Sequence, residues 1–269
     1  MAGWNRVSVR PIEHVLDELG TANTLTFSTP CPGVGVMAVN RPDRGNSQTV
    51  EMFGEIAWFA QVLRQAPLRA LVVTGAGGAT FCTGFDLAEV GVIAQMSVPE
   101  FNDLVTTAET GTSGLRALPY PVIGAVSGPA AGGGLSLALS ADFRFGDAST
   151  SFSAGFVQVG LSIGELGASW HLSRVVGPAK AAEIAFTSRK VQTTEAYRLG
   201  LLNRITPDGE VLEGAIALAA EIAEQDGQEV RAAKNAMLRG TEIPSFVAAL
   251  ELENRAQVVR YTSSRTAFN

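Results

Sequence analysis

Two kinds of apolar pattern alternate along the first half of the chain. Short β-prone runs at 24–28 (TLTFS) and 33–40 (GVGVMAVN) flank the turn cluster TPCPG and predict adjacent strands of a hairpin or meander. Residues 49–66 (TVEMFGEIAWFAQVLRQA) repeat apolar side chains at helical spacing and stop before Pro67, since the residue preceding a proline is driven out of the helical region. The run 70–75 (ALVVTG) is continuously apolar and β-branched, the pattern of a strand buried on both faces. It opens into the glycine-rich segment 75–86 (GAGGATFCTGFD) and then DLAEV, where Asp86 suits a helix N-terminus. Residues 121–128 (PVIGAVSG) repeat the strand, and 129–142 (PAAGGGLSLALSAD) repeat the glycine loop and helix.

Strand, glycine loop and helix, twice over, predict an α/β core with mostly parallel strands and a ligand at the strand ends where both loops open. From about Gly177 the pattern turns helical, with amphipathic stretches at 178–187, 194–202, 211–225 and 245–262 joined by short links. No long linker, low-complexity tract or solenoid repeat interrupts it. The uncharged stretch 117–141 is long enough to cross a bilayer. Pro119, Pro121, Pro129 and five glycines break it, so it reads as a strand, a turn and a helix start inside a soluble core.

Composition supports that reading. Of 269 residues 46% are hydrophobic and 17% charged, enough for a sizeable core and unlike a disordered chain. The net charge of -6, with no basic cluster interleaved with aromatics, argues against a nucleic-acid partner. Cys31 and Cys82 fit neither a disulfide framework nor a zinc site and suit a reducing compartment. The first twenty residues carry Glu13, Asp17 and Glu18 and no apolar centre, so they do not read as a signal peptide. A cytoplasmic protein with no membrane partner is expected.

A helix opening on Gly132-Gly133-Gly134 presents bare N–H groups and the positive end of its dipole, which suits an oxyanion or phosphate. Close helix–strand packing through small residues would produce the same sequence. The segment 81–87 (FCTGFDL) also ends a buried strand and opens a helix, so one backbone donor from each loop could converge on one oxygen. Nucleotide loops fit less well. GAGGATF lacks the Lys-Ser/Thr pair, and GVGVMA at 33–38 lies within a strand pattern rather than after one.

Five blocks in order, 39–47 (VNRPDRGNS), 69–87 (RALVVTGAGGATFCTGFDL), 119–145 (PYPVIGAVSGPAAGGGLSLALSADFRF), 159–187 (VGLSIGELGASWHLSRVVGPAKAAEIAFT) and 195–205 (EAYRLGLLNRI), resemble the enoyl-CoA hydratase/isomerase (crotonase) superfamily. The resemblance extends from about residue 22 to 260. It implies an α/β spiral of ββα units over 21–205, preceded by an extension at 1–20 and followed by a helical trimerisation region at 206–269. It also implies an acyl-CoA thioester substrate, with no cofactor beyond the CoA of that substrate and no metal, and a homotrimer or dimer of trimers. The two donors of the family's oxyanion hole fall on the amides of Phe85 and Gly133, and the adenosine-phosphate grip falls on Arg44, Gly45 and Thr83. Asp86, Leu87, Gly132, Ser136 and Phe156 complete the expected substrate-binding set. Such donors would stabilise the charge that gathers on a thioester oxygen when a neighbouring proton leaves.

Hydratases of the family use two glutamates to hold and activate water, and the matching positions here are Ser136 and Phe156. Neither can act alone as a base near neutral pH. Glu165 falls where enoyl-CoA isomerases of the family carry their single carboxylate. Between Ile163 and Leu166 its acidity would be weakened toward the range a proton shuttle needs, unless it is simply an exposed glutamate at a helix start. The expected activity is therefore double-bond isomerisation within fatty acid metabolism. Alternatives are an atypical hydratase using a water held by Ser136, other enolate chemistry or hydrolysis, and a non-catalytic acyl-CoA binder.

Several residues invite other readings. Gly160 to Gly164 fits the G-x-S-x-G elbow, but the only later histidine, His171, follows within the same short segment. His14 and His171 lack a third metal ligand nearby. Cys82 reads as a small buried thiol, and Asp86 and Asp142 as charges at helix ends.

Overall fold

In the computed structural model, which describes residues 10–265, the hairpin expected from 24–40 forms the edge of a six-stranded sheet. Strand β1 (Leu25–Cys31) pairs antiparallel with β2 (Val34–Val39). Beyond them β3 (Ala70–Gly75), β4 (Val122–Val126), β6 (Phe143–Gly146) and β9 (Arg204–Ile205) add in parallel, giving the order β1-β2-β3-β4-β6-β9. Strand β1 runs further than its sequence pattern suggests, through Thr29 and Pro30, with its register shifting between Ser28 and Cys31. An edge strand tolerates that proline because one side of its backbone needs no partner.

Strands β3 and β4 are buried at every position, as their uniformly apolar sequences require. Side chains alternate between the two faces. Leu71 and Val73 join a cluster with Phe59 and Leu63 of α2 (Val50–Leu63). Ala70 and Val72 join a second one with Ala215 and Ala219 of α9 (Val211–Glu224). Helix α1 (Ile12–Leu19) buries Val15 and Leu19 in the first cluster, and its Glu18 accepts a hydrogen bond from Trp58 Nε1. Residues 12–20 of the expected N-terminal extension thus pack on the core. Residues 1–9 lie outside the described residues.

A second, three-stranded sheet of β5 (Pro129–Ala131), β7 (Ser151–Ser153) and β8 (Val191–Gln192) stands beside the first. Parallel bridges between Cys82 and Ala130 and between Gln48 and Phe85 prolong it across both glycine loops. The stretch 117–141 resolves into β4, β5 and α5 (Gly133–Leu139), the strand, turn and helix start that its breakers predict. No described helix is long and apolar enough to cross a membrane.

After the first glycine loop come the short α3 (Val90–Ile93) and the long α4 (Val98–Arg116). Helix α4 is absent from the elements that the apolar pattern predicts, because its threonines and glycines look loop-like. Its start is set by a reciprocal capping box between Ser97 and Glu100, and it buries only the narrow face of Ala108, Gly111, Thr112 and Leu115. Helices α6 (Ala168–Val176), α7 (Pro178–Thr187), α8 (Thr193–Leu199), α10 (Gly227–Gly240) and α11 (Phe246–Arg265) complete the chain. Helix α11 packs mainly on α10 and stands exposed on nearly all sides, with Phe246 76% and Val247 65% accessible.

Candidate active site

Three segments, 45–48, 82–86 and 129–133, run side by side through main-chain hydrogen bonds. Gln48 N donates to Gly84 O (2.7 Å) and Asp86 N to Gln48 O (2.8 Å) on one side. Cys82 N donates to Pro129 O (3.1 Å) and Ala131 N to Cys82 O (3.0 Å) on the other. A β-carbon on Gly84 would come 2.8 Å from Ala131 O and 3.2 Å from Gly133 N, so the two glycine loops touch.

Within the first loop Cys82 N, Thr83 N and Asp86 N are engaged, Thr83 N donating to Gly45 O (3.1 Å). Phe85 N donates to nothing among the described residues. In the second loop Gly132 N reaches Ser153 O (3.1 Å) and Ser136 N closes the first helical turn onto Gly132 O (3.1 Å). Gly133 N lies between them as one of the unpaired first-turn donors of α5. The two amides singled out from the sequence are thus unpaired neighbours.

Phe85 and Gly133 line one cavity of about 380 Å³ together with Thr83, Leu87, Gly132, Phe156 and Glu165. Its inner wall is apolar, with Phe53 stacked on Phe85 at 6.1 Å between near-parallel rings and Ala108 and Leu166 packed in the same cluster. Leu87, 64% accessible, stands with Val90, Phe101 and Val159 at its exposed apolar margin. Such a lining suits a hydrocarbon chain, with polar recognition limited to a few fixed groups.

Glu165 lies in the loop leading into α6, where Leu166 takes φ 49° and Ala168 N donates to Glu165 O (2.9 Å). The side chain is half-buried and is the only acidic group among the described residues lining the cavity. Its carboxylate forms no hydrogen bond or ion pair among the described residues. Burial, reinforced by the charge of Glu109, raises its pKa above the usual carboxylate value.

The remaining expected residues occupy four places. Arg44 and Gly45 flank the cavity end at Thr83, whose Oγ1 donates to Gly45 O (3.1 Å). Asp86 lies one layer behind, its carboxylate bound by Arg41 Nη2 (2.9 Å), Arg44 Nη2 (3.1 Å), Ser47 Oγ (3.1 Å) and Ala88 N (3.1 Å). The Ala88 amide first, then both arginines and Ser47, hold its pKa far below the usual range. It caps the turn after Phe85, as its position in the sequence suggests, and fixes the arginine loop as well. Ser136 is fully buried and its hydroxyl has no partner among the described residues. Phe156 is a buried wall residue.

Sequence reasoning missed Gln48. Its buried side chain lines the cavity, and Nε2 approaches Gly133 O at 3.4 Å while Oε1 is left without a partner. A buried amide within a run otherwise suited to core packing was the available signal.

Other candidates have structural roles. Cys82 is buried and its thiol is pushed up to about 12 by that burial, so it stays protonated and unreactive. Asp142 caps no helix. It accepts from Val122 N (2.8 Å) and pairs with Lys234 Nζ (2.8 Å), because α10 brings a lysine against the end of α5. Ser162 Oγ accepts from Gly164 N (3.0 Å), a local turn contact, and His171 packs edge-on against Trp170. Among the described residues no group of histidine, cysteine and acidic side chains could hold a metal ion.

A family model for enoyl-CoA hydratase/isomerase matches residues 31–267. "Probable enoyl-CoA hydratase echA12" of Mycobacterium bovis is 34% identical over 250 residues, covering 88% of this chain and 85% of its own. The Enoyl-CoA isomerase/hydratase fer4 of Mycosarcoma maydis is 31% identical over 87% of this chain and 88% of its own. Among solved structures, a candidate enoyl-CoA hydratase from Streptomyces coelicolor A3(2) superposes with a TM-score of 0.87 at 30% identity, over 100% of this chain and 96% of that one. A Thermobifida fusca YX protein in complex with acetoacetyl-CoA superposes at 0.81 with 27% identity, over 92% and 98%. The crotonase-like fold is thus shared along the whole described chain, and with the match over most of its length the chain belongs to the enoyl-CoA hydratase/isomerase family.

Proposed function

We propose that the protein shifts the double bond of an enoyl-CoA thioester, with Glu165 as the single acid and base. The thioester oxygen would accept from Phe85 N and Gly133 N. Glu165 would take a proton from C2, leaving the electron pair delocalised onto that oxygen, and return the proton at C4. Donors already fixed in place stabilise the enolate more than the ground-state carbonyl, which lowers the barrier. The observation that carries this reading is that the cavity contains one carboxylate, unpaired and with a raised pKa, while the hydratase positions hold Ser136 and Phe156.

The CoA end would lie along Arg44, Gly45 and Thr83. The Thermobifida fusca structure containing acetoacetyl-CoA, with which this chain shares its fold, supports a ligand of this class. The exposed Phe246 and Val247 of α11 support assembly through that helix into a trimer or a dimer of trimers, which sedimentation of the full chain would test.

A second reading, hydration, is favoured by two unpartnered buried atoms, Ser136 Oγ and Gln48 Oε1, which could retain a water. Incubation with 3-enoyl-CoA and 2-enoyl-CoA separates the readings. Isomerisation abolished by Glu165→Gln supports the proposal; hydration at ordinary rates that survives this substitution overturns it. Absence of solvent deuterium at C2 of a bound thioester would mean that the protein binds without catalysis.

A further inference from the structure

A second cavity of about 550 Å³ lies between α6, α10 and the end of α4, and it shares no lining residue with the Glu165 cavity. Four cationic side chains line it, Arg116, Arg144, Arg174 and Lys234, against one carboxylate, Asp142. That carboxylate is already committed to Lys234 Nζ at 2.8 Å. Arg144 is buried and donates from Nε to Leu201 O (2.7 Å) and from Nη1 to Ala141 O (2.8 Å), neutral acceptors that do not cancel its charge. Arg174 and Arg116 lie over the same indole, 3.7 Å and 5.0 Å from the centre of Trp170. No carboxylate among the described residues forms a salt bridge with any of the three arginines.

Like charges gathered around one ring repel, and a low-dielectric wall strengthens the repulsion. Burial lowers the pKa of Arg116, opposed by Asp142 and Glu242, with Arg174 the smallest contribution; the arginines are felt at the neighbouring imidazole. His171 is brought down to about 4 by burial and then by Arg116, Arg144 and Arg174. The rest of the lining, including Leu139, Val175, Met237 and Leu238, is mostly apolar, with Gln225 and Thr241 as its uncharged polar members.

We propose that this cavity binds an amphipathic carboxylate, one anionic group on an apolar chain, at a site separate from that of the CoA thioester. The carboxylate sits between Arg116 and Arg174 at the edge of Trp170, and the chain lies along the apolar face of α10. Charge complementarity selects an anion, and the lining selects a hydrocarbon over a compact polar ion such as phosphate.

The test uses the full chain and sodium decanoate below its micelle concentration, with decan-1-ol as the uncharged control. Calorimetry should give one saturable decanoate site per chain, at least about tenfold tighter than decanol. Arg116→Gln should weaken decanoate by about tenfold, Arg116→Lys by less, and the exposed Arg174→Gln should also weaken it without disturbing the fold. The His171 ring resonance should titrate at higher pH with decanoate bound, because the anion offsets the arginines. Saturating enoyl-CoA should leave decanoate binding unchanged. Equal binding of decanol, indifference to both arginine substitutions, displacement by the thioester, or no saturable binding because a second copy covers the cavity would each overturn the proposal. None of these outcomes depends on whether Glu165 catalyses isomerisation.

Discussion

Gln48 Oε1 stands 1.9 Å from the point that a β-carbon on Gly133 would occupy. The requirement for glycine at this helix start is therefore steric, since any non-proline residue would supply the same N–H. Gly133→Ala should push the carboxamide or the helix start aside and misdirect the Gly133 amide, costing on the order of 10²- to 10³-fold in kcat if that amide holds the enolate oxygen. Adding Gln48→Ala removes the obstructing atom. Steady-state kinetics should show the double variant recovering part of that loss, and equal or additive losses would contradict the steric account.

Glu165 should set the acid limb of the pH profile. Its pKa is raised by burial and by Glu109, so kcat/KM should fall as the pH drops through that raised value and the base becomes protonated. Glu109→Gln removes the neighbouring charge and should move the limb to lower pH. A limb that stays in place would exclude this coupling.

The same raised pKa predicts a cost in stability. The folded state binds the Glu165 proton more tightly than the unfolded chain, so the ionised form is destabilising above the folded pKa and neutral below the unfolded one. Glu165→Gln should accordingly raise Tm at neutral and alkaline pH, with the gain vanishing as the pH falls below the ordinary glutamate range. Thermal melts across pH with both proteins provide the comparison.

Asp86 behaves oppositely. Its lowered pKa contributes stability above the ordinary aspartate range, and that stability is lost as acidification protonates the native carboxylate. Asp86→Ala leaves Arg41 and Arg44 without their shared partner and should cost about 3 kcal/mol in urea unfolding. With Arg44 released, KM for the CoA thioester should rise more than kcat falls.

Ser136→Ala removes a buried hydroxyl that has no partner, so stability should be unchanged or higher by up to about 1 kcal/mol. Isomerisation should persist. A selective loss of hydration would instead indicate that this hydroxyl holds a water.

Strands β2, β3 and β4 and helix α2 were legible in the sequence because their burial is local in pattern: a continuous apolar run, or one at helical spacing, has few ways to leave water. The glycines at 84 and 132–134 marked both loops, and the family blocks pointed to Phe85, Gly133 and Glu165. Helix α4 escaped because its apolar face is one narrow stripe among threonines. Gln48 escaped because nothing near it in sequence shows that its carboxamide meets Gly133, 85 residues away.

Sequence alone determined the alternation of strands, glycine loops and helices, since these follow from φ/ψ freedom and side-chain polarity within a few residues. Only the tertiary structure decided which main-chain amides remain unpaired, which carboxylates are neutralised, and where arginines without a salt-bridge partner collect. Hydrogen bonding and charge balance depend on distances of a few ångströms between segments far apart in the chain, and such distances exist only once the chain has folded.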